Sequence, residues 1–165
     1  IFAVKLLVIS GAGKIIALDT DAQKLKGAME CGAGYVFDPS AKDLSSLIAS
    51  LTSSRGADIS FEAAGTGESV NTLIDLTRKG GTVVLIGNTS RTVEFPLQKV
   101  VTRELRIQGS CAIRGEYDAV LSLLESRKLV VRDQISAIAP LSEGAEWFAR
   151  LYRKEWKPGK VILVP

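Results

Sequence analysis

The stretch Gly11-Ala12-Gly13-Lys14-Ile15-Ile16-Ala17-Leu18-Asp19-Thr20-Asp21 decides the fold, because it admits two incompatible readings. In the first, residues 5–9 form a strand, the two glycines form a phosphate loop, and a helix begins near Lys14. Ile15, Leu18, Ala22, Leu25 and Met29 share one face of that helix. Asp38 then closes a second strand at roughly the 20-residue spacing of a ribose-binding acid. The defect is the third glycine position, which holds Ile16. In the second reading, residues 1–10 end a helix, Gly11-Ala12-Gly13 caps it, and residues 14–19 form a buried strand. Asp19-Thr20-Asp21 then sits at a strand end and helix start, where short polar residues belong. A helix with Ile15-Ile16 and then those three residues in its interior is the poorer solution, so the second reading is preferred. It implies that the true phosphate loop lies upstream of Ile1.

Outward from this point, strands alternate with helices. Asp21 caps a helix running to about Cys31, stopped by Gly32-Ala33-Gly34. Residues 35–38 form the next strand, halted at Pro39. Ser40 with Asp43 three residues on resembles a capping box, and Leu44, Leu47, Ile48 and Leu51 follow helical spacing. Residues 58–62 form a strand that stops at Ala63-Ala64-Gly65. Val70, Leu73 and Ile74 mark a helix ended by Gly80-Gly81, and residues 82–86 are the most apolar strand, closed by Gly87. A looser stretch, 88–103, carries Pro96 and leads into a strand at 105–108. Tyr117, Val120, Leu121 and Leu124 share a helical face. Further on, residues 135–138 read as a strand. Ser142 caps a helix bearing Trp147, Phe148, Leu151 and Tyr152, and residues 161–164 form a terminal strand.

Mostly apolar strands alternating with helices predict an α/β protein with a doubly wound parallel sheet covered on both faces. Ligands of such sheets bind beyond the carboxyl ends of the strands. Those ends are Asp19, Asp38, Ala63-Ala64-Gly65, Gly87-Asn88 and Gly109-Ser110. Small residues at three of the five let a flat ligand approach the backbone.

Composition narrows the function. With 21 basic and 18 acidic residues the net charge is only +3, which does not suggest a nucleic-acid partner. No apolar run is long enough to span a bilayer, since Lys5 and Lys14 interrupt the most apolar stretch. Two cysteines, Cys31 and Cys111, fit a reducing, cytoplasmic setting rather than a disulfide framework. The absence of histidine excludes a Ser-His-Asp triad and any histidine-ligated zinc within these 165 residues. The one methionine is Met29, so the chain reads as a piece of a longer protein or a processed product.

The chain resembles the coenzyme-binding half of the medium-chain, zinc-dependent alcohol and polyol dehydrogenases. The resemblance rests on residues 11–19, Cys31-Gly32-Ala33, residues 56–65, residues 80–87 and residues 159–163, in the family's order and spacing. It implies a Rossmann-type, NAD(P)-binding fold lacking its first strand. Residues 1–131 would be a partial dinucleotide-binding domain, and residues 132–165 a segment returning toward an absent catalytic domain. In the intact enzyme, zinc would polarise the substrate alcohol and hydride would pass to NAD. No catalytic residue and no metal ligand is assigned here.

The resemblance places Asp19 on the adenosine ribose hydroxyls, with Lys24 nearby. Ala63, Ala64 and Gly65 would line the adenosine side. Ile86, Gly87 and Asn88, with Ser110, Cys111 and Ala112, would meet the nicotinamide, and Lys160 would lie near the pyrophosphate. It further implies a homo-oligomer and a polyol substrate. The rival readings are a zinc-free, NADPH-dependent quinone or enone reductase of the same superfamily, a methyltransferase, and a non-catalytic nucleotide-binding module. Asp19-Thr20-Asp21 offers no basic clamp for a 2′-phosphate and so speaks against the first.

Overall fold

The structure is a computed structural model and describes residues 1–153, 155 and 159–165. It divides into two compact units, Ile1–Arg114 and Gly115–Pro165.

In the first unit, α1 (Phe2–Ile9) is a helix, not a strand. Its end has two hydrogen bonds that recur at helix C-termini: Gly11 N–H donates to Val8 O (3.0 Å) and Ala12 N–H to Leu7 O (3.0 Å). Gly11 sits at φ +75°, the left-handed conformation this ending requires. The glycine pair is therefore a cap, as the second reading holds. β1 (Ile16–Leu18) follows and is shorter than the expected 14–19. α2 (Ala22–Glu30) starts at Asp21, whose Oδ1 accepts from the amides of Gln23 (2.8 Å) and Lys24 (3.4 Å). Its end repeats the α1 pattern, with Gly32 N–H on Met29 O and Ala33 N–H on Ala28 O.

β2 (Tyr35–Phe37) pairs in parallel with β1. α3 (Leu44–Leu51) buries Leu44 and Ile48 against Leu76, with Ile16, Leu18 and Phe37 packed around them. The capping box expected of Ser40 and Asp43 does not form. Ser40 spends its amide and its hydroxyl on Asp38 Oδ1 (2.8 and 2.7 Å), and Asp43 stands at the N-cap without a side-chain bond.

β3 (Ala57–Glu62), β4 (Thr77–Leu85) and β5 (Arg106–Gly109) form a parallel sheet in that order. Between β3 and β4 lies α4 (Gly67–Leu76), opened by a capping box of Thr66 and Ser69. α4 ends at Leu76, before the expected Gly80-Gly81. The cause is polar: Thr77 Oγ1 donates to Leu73 O (2.6 Å), and the Arg103 guanidinium takes the carbonyls of Ile74, Asp75 and Thr77. Gly80 and Gly81 then fall inside β4, where the register against β3 shifts. Within the stretch read as loose, α5 (Leu97–Thr102) forms a short helix, tied down by Lys99 Nζ on Asp75 Oδ1 (2.7 Å). Val70, Ile74, Val83 and Leu105 are the core of this part.

Among the described residues the sheet of this unit is in two pieces, β2-β1 and β3-β4-β5. A doubly wound order 3-2-1-4-5-6 without its strand 1 leaves these two pieces. Core packing nonetheless joins them, since Leu76 of α4 lies with Ile16 and Leu18 of β1.

The second unit holds α6 (Tyr117–Glu125), a parallel pair of β6 (Ile135–Pro140) and β7 (Lys160–Val164), and α7 (Gly144–Tyr152) between them. Ser142 does not cap α7. It lies in a 3-10 turn, Leu141–Glu143, and Glu143 takes the N-cap position, with Trp147 Nε1 donating to its Oε2 (3.3 Å).

Candidate functional site

Asp19 directly follows β1. Its amide continues the ladder by donating to Phe37 O (3.3 Å), and its Oδ1 accepts from Asp21 N–H (3.0 Å). Lys24 Nζ stands 3.8 Å from the same oxygen, with both side chains partly open to solvent. The described residues give Oδ2 no hydrogen bond. A half-exposed carboxylate with a free oxygen can accept from vicinal hydroxyls. Asp38, the acid of the rejected reading, is committed differently. The hydroxyl and then the amide of Ser40 hold its exposed carboxyl below the usual carboxylate range.

The turns leaving β3, β4 and β5 come together at one edge of their parallel sheet. Ala63 and Ala64 are exposed, Gly65 is buried at φ +74°, and Ile86 and Asn88 are exposed around Gly87. Two cross-links tie the first pair of turns: Thr89 Oγ1 donates to Ala64 O (2.8 Å) and Ser90 N–H to Gly65 O (2.8 Å). A Cβ on Gly87 would stand 2.1 Å from Gly65 N, so the contact needs glycine. The third turn follows at Ser110, whose N–H donates to Leu85 O (2.9 Å). Ser110, Cys111 and Ala112 are exposed, and Ala112 adopts φ +47°. Lys160 is an exposed residue of β7 in the second unit.

Sequence reasoning missed Glu62 as part of this site. It is 1% exposed, and its Oε1 accepts from Ala64 N–H (2.8 Å), Gly65 N–H (2.8 Å) and Ser69 Oγ (2.7 Å). The available signal was a carboxylate at the end of an alternating strand, immediately before Ala-Ala-Gly.

These residues suit part of a nicotinamide dinucleotide. Asp19 offers the chemistry a ribose diol needs, and the small turns at 63–65 and 86–88 leave backbone open to a flat group. Gly11-Ala12-Gly13 does not suit the pyrophosphate, because the amides of Gly11 and Ala12 are spent on α1 carbonyls. Zinc does not fit: among the described residues no three His, Cys, Asp or Glu side chains gather where they could hold a metal. Cys31 is half-buried and Cys111 exposed, and neither forms a disulfide among the described residues. No helix among the described residues is long and apolar enough to cross a membrane.

A split parallel sheet with an acid after β1 and glycine turns at the strand ends defines the nucleotide-binding α/β class of the dehydrogenases. The family model of the zinc-binding dehydrogenases matches residues 1–126, and the chain belongs to that family. It is 34% identical over 160 residues to a probable D-xylulose reductase A of Aspergillus clavatus, covering 92% of this chain and 42% of that protein. The alcohol dehydrogenase TADH from Thermus sp. ATN1 shares the fold with a TM-score of 0.88 and 29% identity, over 98% of this chain and 46% of that one. A zinc-binding dehydrogenase from Sinorhizobium meliloti 1021, solved bound to NADP, matches with a TM-score of 0.81 and 28% identity, over 98% and 48%. The chain thus spans less than half the length of the proteins it matches.

Proposed function

We propose that this chain is the cofactor-binding part of an oxidoreductase that transfers hydride between a polyol or other small alcohol and NAD. The observation that carries the reading is Asp19, a carboxylate at the end of β1 with one oxygen that takes no hydrogen bond from the described residues. Bound NAD supplies the hydride-accepting nicotinamide. Asp19 accepts the adenosine ribose hydroxyls and repels a 2′-phosphate; Lys24, at 3.8 Å, orients that carboxylate. The turns at Ala63, Ala64 and Gly65, at Ile86, Gly87 and Asn88, and at Ser110, Cys111 and Ala112 shape the floor on which the dinucleotide lies.

The polyol assignment is supported by the D-xylulose reductases among the relatives. Because no three His, Cys, Asp or Glu side chains gather among the described residues, the reading assigns the zinc of such an enzyme to residues outside them. Open edges on β1 and β3 support a central strand, with its glycine fingerprint, contributed by a segment preceding Ile1. Domain limits of 1–131 and 132–165 follow from the same reading. It also makes the protein a cytoplasmic homo-oligomer, supported by two cysteines that form no disulfide among the described residues and by the exposed Ile107 on β5.

The test is calorimetric titration of the full polypeptide with NAD, NADPH and S-adenosylmethionine. Tight binding of NAD alone, with zinc-dependent oxidation of polyols, supports the assignment. Preference for NADPH without zinc would assign it to the reductase branch instead.

A further inference from the structure

Glu62 grips both turns at the centre of the candidate site with its backbone and its side chain. Its backbone carbonyl accepts from Ile86 N–H (2.8 Å) and Gly87 N–H (3.1 Å), which fixes the turn after β4. Its side-chain Oε1 accepts from the amides of Ala64 and Gly65, both at 2.8 Å, which fixes the turn after β3. The same oxygen takes the hydroxyl of Ser69 in the first turn of α4 (2.7 Å). Those two turns carry six of the residues expected to meet the dinucleotide.

The other oxygen makes the case sharper. Glu62 Oε2 is buried and has no hydrogen-bond partner among the described residues. A Cβ on Gly87 would lie 2.7 Å from it, so only the hydrogen of a glycine fits between them. A buried carboxylate oxygen left without a donor is costly. An apolar side chain at this buried position would leave the amides of Ala64 and Gly65 and the Ser69 hydroxyl without this acceptor. The carboxylate does what an apolar side chain cannot: it draws two successive amides of the Ala63–Gly65 turn inward and so sets the height of that turn against Gly87.

We propose that Glu62 is a positioning residue for dinucleotide binding, holding the turns after β3 and β4 at the spacing the cofactor requires while touching no reacting atom. The inference rests on the cofactor-binding function proposed above. An amide at position 62 keeps an acceptor for the three donors, whereas alanine removes it.

The experiment compares wild type, Glu62→Gln and Glu62→Ala in the full polypeptide. Three quantities are measured: NAD affinity by calorimetry well below the melting transition, the split between KM for NAD and kcat, and amide exchange at Ala64 and Gly65. Glu62→Ala should weaken NAD binding at least tenfold, raise KM rather than lower kcat, and speed exchange at both amides. Glu62→Gln should restore affinity to within about threefold of wild type. Should Glu62→Ala fail to fold, Ser69→Ala is the second variant. It removes one of the three Oε1 donors and should raise the NAD Kd severalfold, with faster exchange at Ala64 and Gly65 than in wild type. Variants that melt earlier yet bind NAD as wild type does would reduce Glu62 to a structural residue and overturn the proposal. Wild type that binds no dinucleotide at all would instead remove the function on which it rests.

Discussion

At the scale of single residues, Asp19 and Gly87 make separable claims. Asp19 should set cofactor preference. Loss of charge-assisted hydrogen bonds costs about 1.5–3 kcal/mol, so Asp19→Ser should weaken NAD binding roughly ten- to a hundredfold and narrow the gap to NADP. Asp38→Ser should leave both affinities alone, since that carboxyl is engaged by Ser40. Affinity constants for the two cofactors in both variants check this, and a change confined to Asp38→Ser would return the literal glycine fingerprint to favour. Gly87 makes a steric claim. A Cβ there meets backbone of Gly65 at 2.1 Å, and backbone cannot swing aside. Gly87→Ala should therefore cost about 1–3 kcal/mol of stability, read from urea midpoints. Asp19 and Gly87 were both visible in the sequence because strand ends announce themselves by acids and glycines. Glu62 was not, because its partners are backbone amides two and three residues on and a serine seven residues on, an arrangement that strand alternation does not encode.

Between elements, the packing of α1 on α2 depends on Gly32. A Cβ at Gly32, already at φ +105°, would lie 2.6 Å from Val8 Cγ2, whereas one at Gly11 meets nothing within 4 Å. Both glycines cap helices in the left-handed region, where alanine costs about 1–2 kcal/mol. Gly32→Ala should therefore destabilise more than Gly11→Ala. Adding Val8→Ala to Gly32→Ala should give less than the sum of the two single losses, as a thermal-denaturation cycle would measure. The β3–β4 pair offers a pH test. Arg78 Nε lies 2.6 Å from Asp58 Oδ1 and holds that carboxyl below its ordinary value of 3.8. A depressed folded value means the pair favours the fold above the unfolded pKa and loses that effect as pH falls through the folded one. Arg78→Ala should raise the Asp58 pKa, followed by NMR, and flatten the acid side of the stability curve. Both groups are substantially exposed, so the effect at neutral pH should be small. Helix and strand order was legible here from hydrophobic spacing and helix stops. The end of α4 was not, because a tertiary contact, Arg103 on its last carbonyls, overrides the later glycines. Nor was α5, whose six residues are too few to show a period.

For the molecule as a whole, the decisive feature is the interruption of the parallel sheet between β1 and β3. It was expected from the preferred reading of residues 11–21, since a helix where a first strand would otherwise stand leaves the order 3-2-1-4-5-6 without its centre. The hydrogen bonds identify which amides face the interruption. Asp19 N–H points to β2, so by strand alternation those of Ile16 and Leu18 point away from it. Glu62 O accepts from the turn after β4, so the amides of Ile59 and Phe61 point away from β4. The side chains of Ile59 and Phe61 are 54% and 36% exposed, which leaves apolar surface as well as polar backbone uncovered. A sixth, parallel strand seated there would satisfy all four amides and cover both side chains. Hydrogen exchange should accordingly be slow at Ile16, Leu18, Ile59 and Phe61 in the full polypeptide, and fast at those four in residues 1–165 alone. Ala17 and Ser60, whose amides face β2 and β4, serve as controls and should be comparatively protected in both. Equal, fast exchange of the four amides in the two forms would mean that no strand enters, and the sheet would have to be accepted as two separate pieces.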